Sequence, residues 1–371
     1  LCYDEEGWVT LHLDNRSGRA LRLTVRDEVP DALAAPLQVF RLKLPPGARG
    51  TVHYRVRPCR RGTFAYGDVL VRLRHGLDLI ERDLRLAVPD SVRVYPRFRG
   101  FSNYELLARL AERDEARRPR RTRGQGSDYE SLRPYVPGDD PRWIDWKSTA
   151  RRGHLISRNP QVERGQQLAL LIDCGRLMAG SIQGHPRLEH AMQAAVRLSY
   201  VVQKRGDTLA LAAFSNKIEA FVPRLKGPEI MPSVLEALCG VEQRPVESDY
   251  WRVTAQILGQ LRRRSLVVLF TEVLDAAASQ GLLNNLRRAA SRHLVLCVVM
   301  TERRLHAAAV SSPSSELDAW RQAAACDLLR RRRLALEHMR ACGILVLECS
   351  PEHLSNRLIR RYLEIRQEDL Q

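Results

Sequence analysis

From residue 166 onward one alternation repeats, and it leaves few folds open. Short apolar runs predict strands at Leu168–Asp173, Leu209–Phe214, Leu266–Phe270, Leu294–Val299 and Ile344–Leu347. Between and after them, runs of helical period predict helices at Leu188–Lys204, Glu229–Cys239, Tyr250–Arg263, Ala277–Ser291, Leu317–Cys342 and Glu352–Arg366. A strand apolar on both faces must be covered on both, and interleaved amphipathic helices do that. The pattern predicts a doubly wound, mostly parallel sheet. Ligand sites in such sheets lie at the carboxyl ends of the strands. That directs attention to Asp173 and to Thr271-Glu272.

Residues 1–95 read differently. Trp8–Leu13 and Ala20–Val25 alternate around the turn signal Asp14-Asn-Arg-Ser-Gly18, and further short runs follow at Thr51–Val56, Val69–Leu73, Leu84–Val88 and Val92–Tyr95. Strands of this length with regular turns predict a small β-sandwich. The expected architecture is therefore two domains, all-β then α/β, spanning 1–95 and 166–371. Residues 96–165 form a linker, with a short helix expected from Asn103 to Glu115 and an exposed basic run at Arg117–Arg123.

The chain has 371 residues, 44% of them hydrophobic, which excludes a disordered protein. Its net charge of +17 and pI near 10.1 permit attraction to nucleic acid or to anionic lipid. Only five of the cations are lysine, however, a skew that a GC-rich genome produces without any binding surface, so nucleic acid is discounted as a partner. Eight cysteines are scattered with no CxxC pair, which argues against a zinc site and for a reducing compartment. Cys174, Cys297 and Cys349 lie in or beside apolar runs, where a free thiol acts as a small hydrophobe. No apolar run reaches a membrane span of about 20 residues. The sequence opens on Leu1-Cys-Tyr-Asp without methionine and in mid-pattern, so it is expected to be a soluble piece of a longer protein.

The linker carries the densest motif, Leu132-Arg-Pro-Tyr-Val-Pro-Gly-Asp-Asp-Pro-Arg-Trp-Ile-Asp-Trp-Lys-Ser-Thr-Ala-Arg151. Pro137–Pro141 has turn chemistry. Arg133, Arg142 and Arg151 are matched in number by Asp139, Asp140 and Asp145, and bidentate pairing would build a clasp with Trp143 and Trp146 anchored in a core. The other reading is a docking surface in which Arg133, Tyr135, Gly138, Asp139, Asp140, Arg142, Asp145, Trp146, Lys147 and Arg151 meet a partner. Catalysis is the weaker reading. No histidine of matched spacing accompanies the aspartates, and neither GxSxG nor a Walker loop occurs. In the predicted helix Leu317–Cys342, Arg330-Arg-Arg-Arg333 reads as an exposed basic face, with contact to acidic lipid or nucleic acid as its functional alternative.

That motif resembles the signature of the bacterial "domain of unknown function 58" family, and Arg340–Glu348 and Leu358–Ile365 are similar to the family's tail. The resemblance implies a von Willebrand factor A-like C-terminal domain. It also implies membrane segments upstream of Leu1, a place at the cytoplasmic face of the bacterial inner membrane, and a MoxR-type AAA+ ATPase as partner. It supplies no enzymatic reaction. The metal-binding A-type domain uses Asp-x-Ser-x-Ser, a later hydroxyl and a carboxylate after the fourth strand, because hard cations need oxygen ligands. Here Asp173-Cys-Gly-Arg-Leu177 keeps the carboxylate and loses both hydroxyls, Ser248 stands in for the distant hydroxyl, and Glu272 takes the fourth-strand place. The expected outcome is a degenerate site that binds neither Mg2+ nor Mn2+, and a non-enzymatic interaction protein without a cofactor.

Overall fold

The computed structural model describes residues 1–36, 38–75, 80–98, 129–135, 144–160, 166–261, 263–274 and 280–368. The expected helix 103–115, the basic run 117–123, and Gly138, Asp139, Asp140, Arg142 and Trp143 of the motif lie outside them.

Among the described residues of the N-terminal part, eight strands form: β1 (Gly7–Asp14), β2 (Leu21–Asp27), β3 (Phe40–Leu44), β4 (Arg49–Val56), β5 (Gly62–Ala65), β6 (Val69–His75), β7 (Ile80–Leu86) and β8 (Ser91–Val94). They pair antiparallel as β1–β4, β3–β2–β6–β7 and β5–β8. Their alternation buries two small cores, one around Leu23, Val25, Leu44, Val69 and Val71, the other around Leu33, Tyr54, Val56 and Val94.

A hairpin of β9 (Tyr129–Pro134) and β10 (Ile156–Pro160) brackets the short helix α1 (Trp146–Arg152). The six-stranded sheet follows. Its first strand in the chain is β11 (Gln167–Asp173); the two-residue strands β12 (Ser181–Ile182) and β13 (His185–Pro186) then form a separate side hairpin. Next come α2 (Arg187–Arg205), β14 (Thr208–Phe214), β15 (Ile218–Lys226), α3 (Ile230–Cys239), α4 (Tyr250–Leu258), β16 (Leu266–Phe270) and α5 (Gln280–Ala290). The chain closes with β17 (Leu294–Met300), α6 (Arg303–Val310), α7 (Glu316–Ala341), β18 (Leu345–Cys349) and α8 (Pro351–Glu368). Strand order is β15-β14-β11-β16-β17-β18, parallel throughout except for the β14–β15 edge. This mixed sheet fits the α/β, von Willebrand factor A-like architecture expected of the C-terminal half.

Alternate residues of β11 face opposite layers. Leu168, Leu170 and Ile172 pack with α2, α3 and α8, and Ala169 and Leu171 pack with α4, α5 and α7. Each such leucine contributes about 1.5–3 kcal/mol by leaving water. Cys174 and Cys297 are fully buried free thiols, pushed up to about 12 chiefly by burial, as the hydrophobe reading requires.

Several elements depart from expectation, among them the unforeseen strands β3 and β5 and helix α6, and two are informative. Helix α4 ends at Leu258 with Gly259 as its C-cap, where a helix to Arg263 was expected. Strand β15 was not expected: it is half polar and contains Pro223, yet as an edge strand it needs one covered face only, and register shifts accommodate it.

The two halves meet through Arg61. This arginine of the N-terminal part is nearly buried, its Nε donating to Glu189 Oε1 of α2 at 2.6 Å and its Nη1 to the Leu238 carbonyl at the end of α3 at 2.6 Å. Arg93 and Tyr95 also reach Glu236 of α3, at 2.8 and 3.3 Å.

Candidate functional site at the strand ends

Asp173 ends β11, where the chain must leave the sheet. The following turn is laced to the 244–249 loop by Arg244 N–H to Cys174 O at 2.7 Å and Arg176 N–H to Val246 O at 2.8 Å. That lacing brings Ser248 and Tyr250 over the carboxylate. Asp249 caps α4 by accepting from Arg252 N–H at 3.0 Å, so Tyr250 opens the helix with its ring edge-on to Phe214 and its hydroxyl inward.

Asp173 is fully buried and accepts four hydrogen bonds. Gly175 N–H (2.8 Å) and Ser248 Oγ (2.5 Å) donate to Oδ1, and Tyr250 Oη (2.6 Å) and Thr271 Oγ1 (2.7 Å) donate to Oδ2. Burial, then the charge of Asp173, drives the Tyr250 phenol far above its ordinary pKa, so it stays a donor. Gly175 is required by close approach: a Cβ there would stand 2.1 Å from Ser248 Oγ. Ser248 thus fills the space a serine at 175 would need.

Glu272, the other expected cation ligand, belongs to a different network. Arg332 of α7 places Nη1 2.8 Å from Glu272 Oε1, donates from Nη2 to the Met300 carbonyl at 2.7 Å, and holds Nε 3.5 Å from Glu348. Arg187, the first residue of α2, sits 4.0 Å from Glu272 Oε2 and 3.0 Å from Glu302. Burial pushes the Glu272 carboxyl up, opposed by Arg332 and then Arg187. The charges gathered here are therefore neutralised by guanidinium groups. The oxygen donors of Asp173, Ser248 and Thr271 are turned on one another, a poor fit to a dication that needs several free oxygens. Arg176 points away, largely exposed and 3.6 Å from Glu247.

Arg332 corrects the expectation of an exposed basic face. Arg330, Arg331 and Arg333 are exposed, but Arg332 is buried. Its phase was readable: Ala325, Arg332, Ala335, Leu336 and Met339 fall on one stripe of α7. Tyr250 lay 77 residues from its partner and carried no motif.

In the linker motif, Trp146 is 67% exposed, which overturns its expected place in a core. It is the first residue of α1, and the segment is held instead by Asp145, which is buried and caps α1 by accepting from Ser148 N–H at 3.0 Å, and by the buried Ile156. Lys147 and Arg151 are exposed, Arg133 lies in β9, and Tyr135 N–H donates to Leu155 O at 2.9 Å.

A model of the family described as "Protein of unknown function DUF58" matches residues 131–309. Uncharacterized protein YeaD of Bacillus subtilis is 32% identical over 171 residues, 46% of this chain and 41% of that protein. Uncharacterized protein Rv1480 of Mycobacterium tuberculosis is 25% identical over 183 residues, 49% and 57% of the two. The chain thus spans about half the length of these relatives. Among solved structures, the SpRpn10 VWA domain is similar at 12% identity and a TM-score of 0.35, over 52% of this chain and 93% of that one. BatB from Bacteroides thetaiotaomicron is similar at 10% and 0.36, over 56% and 98%. Residues 131–309, from the β9–β10 hairpin to α6, are thus similar to the DUF58 family.

Proposed function

We propose that this chain works by binding another protein and not by catalysis, with the segment around α1 as its docking surface. The observation that carries this is Trp146, a large aromatic held outward at the start of a capped helix, beside the exposed Lys147 and Arg151. Exposed tryptophan with flanking cations is the composition of an interface anchor. The partner proposed from the family resemblance is a MoxR-type AAA+ ATPase. The intact protein would work at the cytoplasmic face of a bacterial membrane in protein maturation or envelope maintenance, and the N-terminal strands would form a small β-sandwich. No helix among the described residues is long and apolar enough to cross a membrane, so attachment would come from other segments.

Trp146→Ala should weaken capture of such an ATPase by the intact protein about tenfold or more while changing unfolding free energy by less than about 0.5 kcal/mol. Undiminished capture would sink the docking reading.

We further propose that no dication acts at Asp173. Titration of the chain with Mg2+ or Mn2+ should give no binding heat beyond that of the Asp173→Asn variant. A saturable heat lost on that substitution would reverse this conclusion.

A further inference from the structure

A second cleft lies away from the strand ends, between α4 and α5. Its volume is 320 Å3, within the range of small-ligand sites. One wall is the ring of Trp251, half exposed, and Leu258 adds an apolar surface. The guanidinium of Arg288 lies 4.1 Å from the Trp251 ring centroid. Such stacking orients a guanidinium while leaving its N–H edge free for a carboxylate or a phosphate. Arg292 lines the same cleft. Neither arginine is paired with a carboxylate among the described residues, in a chain where most interior and many surface arginines are.

His293 closes the inner end. It is only 6% exposed, and its Nδ1 has no hydrogen-bond partner among the described residues. Burial, then the nearby Arg292, lowers its pKa and so favours the neutral ring, which lines the cleft. A buried polar atom without a partner costs free energy, and in the tautomer that carries its proton on Nδ1 an acceptor of the ligand would recover it. The aromatic wall, two uncompensated guanidiniums and the orphaned imidazole nitrogen converge on one kind of occupant.

We propose that this cleft binds a small organic anion, a phosphate monoester or carboxylate carried on a flat apolar body. The body lies against Trp251 and Leu258, and the anion takes the N–H edges of Arg288 and Arg292.

The test is calorimetric titration of the full chain with phenyl phosphate, benzoate, inorganic phosphate and phenol. Phenyl phosphate or benzoate should bind saturably, and the tighter of the two identifies the head group. Arg288→Met and Arg292→Met should each weaken that binding about tenfold. Both side chains are exposed, so the fold should survive, which unfolding curves of the variants check. Inorganic phosphate and phenol should each bind at least about tenfold more weakly than the tighter probe, because each lacks half of the recognition. The proposal is overturned if neither aromatic anion saturates by about 10 mM, if inorganic phosphate or phenol binds as tightly, or if both arginine variants bind as the parent does.

Discussion

Asp173→Ala should cost about 4 kcal/mol of unfolding free energy, with the fold otherwise intact in the fraction that remains native. The substitution strands four donors at once: the Gly175 amide and the hydroxyls of Ser248, Tyr250 and Thr271, around a carboxylate that is itself fully buried. Each uncompensated group costs about 1–3 kcal/mol, and the hydroxyls recover part of that by turning toward one another. Tyr250 and Thr271 are already 3.0 Å apart and can do so. Asp173→Asn keeps one strong acceptor and should cost about half as much, and Ser248→Ala, which leaves three of the four bonds, only about 1 kcal/mol. Urea unfolding of the three variants gives the ordering. A loss under about 1 kcal/mol for Asp173→Ala would mean that the carboxylate is not the tie that the geometry describes.

Arg332→Met should be as damaging by a different route, about 3–5 kcal/mol at neutral pH, because it leaves Glu272 charged in the interior. The pH dependence separates this from simple loss of packing. The carboxyl of Glu272 is already raised by burial, so the folded state holds its proton more tightly than the unfolded chain. For an acid raised on folding, stability from this group is greatest below its unfolded pKa of about 4.3 and falls as pH rises through the higher folded value. Removing the arginine raises that folded value further, so the fall should extend to higher pH than in the parent. Adding Glu272→Gln to Arg332→Met should flatten the slope and return at least about half of the lost stability. An unchanged slope in Arg332→Met would show that Glu272 is not the group left exposed to the interior field.

The fold was legible where burial is symmetric. Leu168–Asp173 and Leu266–Phe270 are apolar at nearly every position, and only a strand covered on both faces tolerates that. Strand β15 was illegible because an edge strand alternates and admits a proline. The candidate site was half legible. Asp173, Ser248 and Glu272 follow from the pattern of an oxygen-ligand corner, and the loss of hydroxyls at 175 and 177 is plain. What the pattern does not carry is the replacement. Tyr250 reaches Asp173, and Arg332 reaches Glu272, from helices whose placement depends on the whole sheet, and an arginine within Arg330–Arg333 declares its burial only through helical phase. Trp146 went the other way: composition suggested an anchor in a core, while capping by Asp145 fixes α1 without any need to bury its first side chain.

The junction at Arg61 bears on where this protein can be cut. The DUF58 match begins at residue 131, seventy positions after that arginine. A fragment starting at the match would leave Glu189 in place on α2, with its carboxyl already pushed up by burial and now without its guanidinium, and would free the carbonyl that closes α3. A cut at the edge of the match is therefore expected to lower the stability of the α/β layer, because the strands before it supply the guanidinium that meets Glu189 and the Leu238 carbonyl.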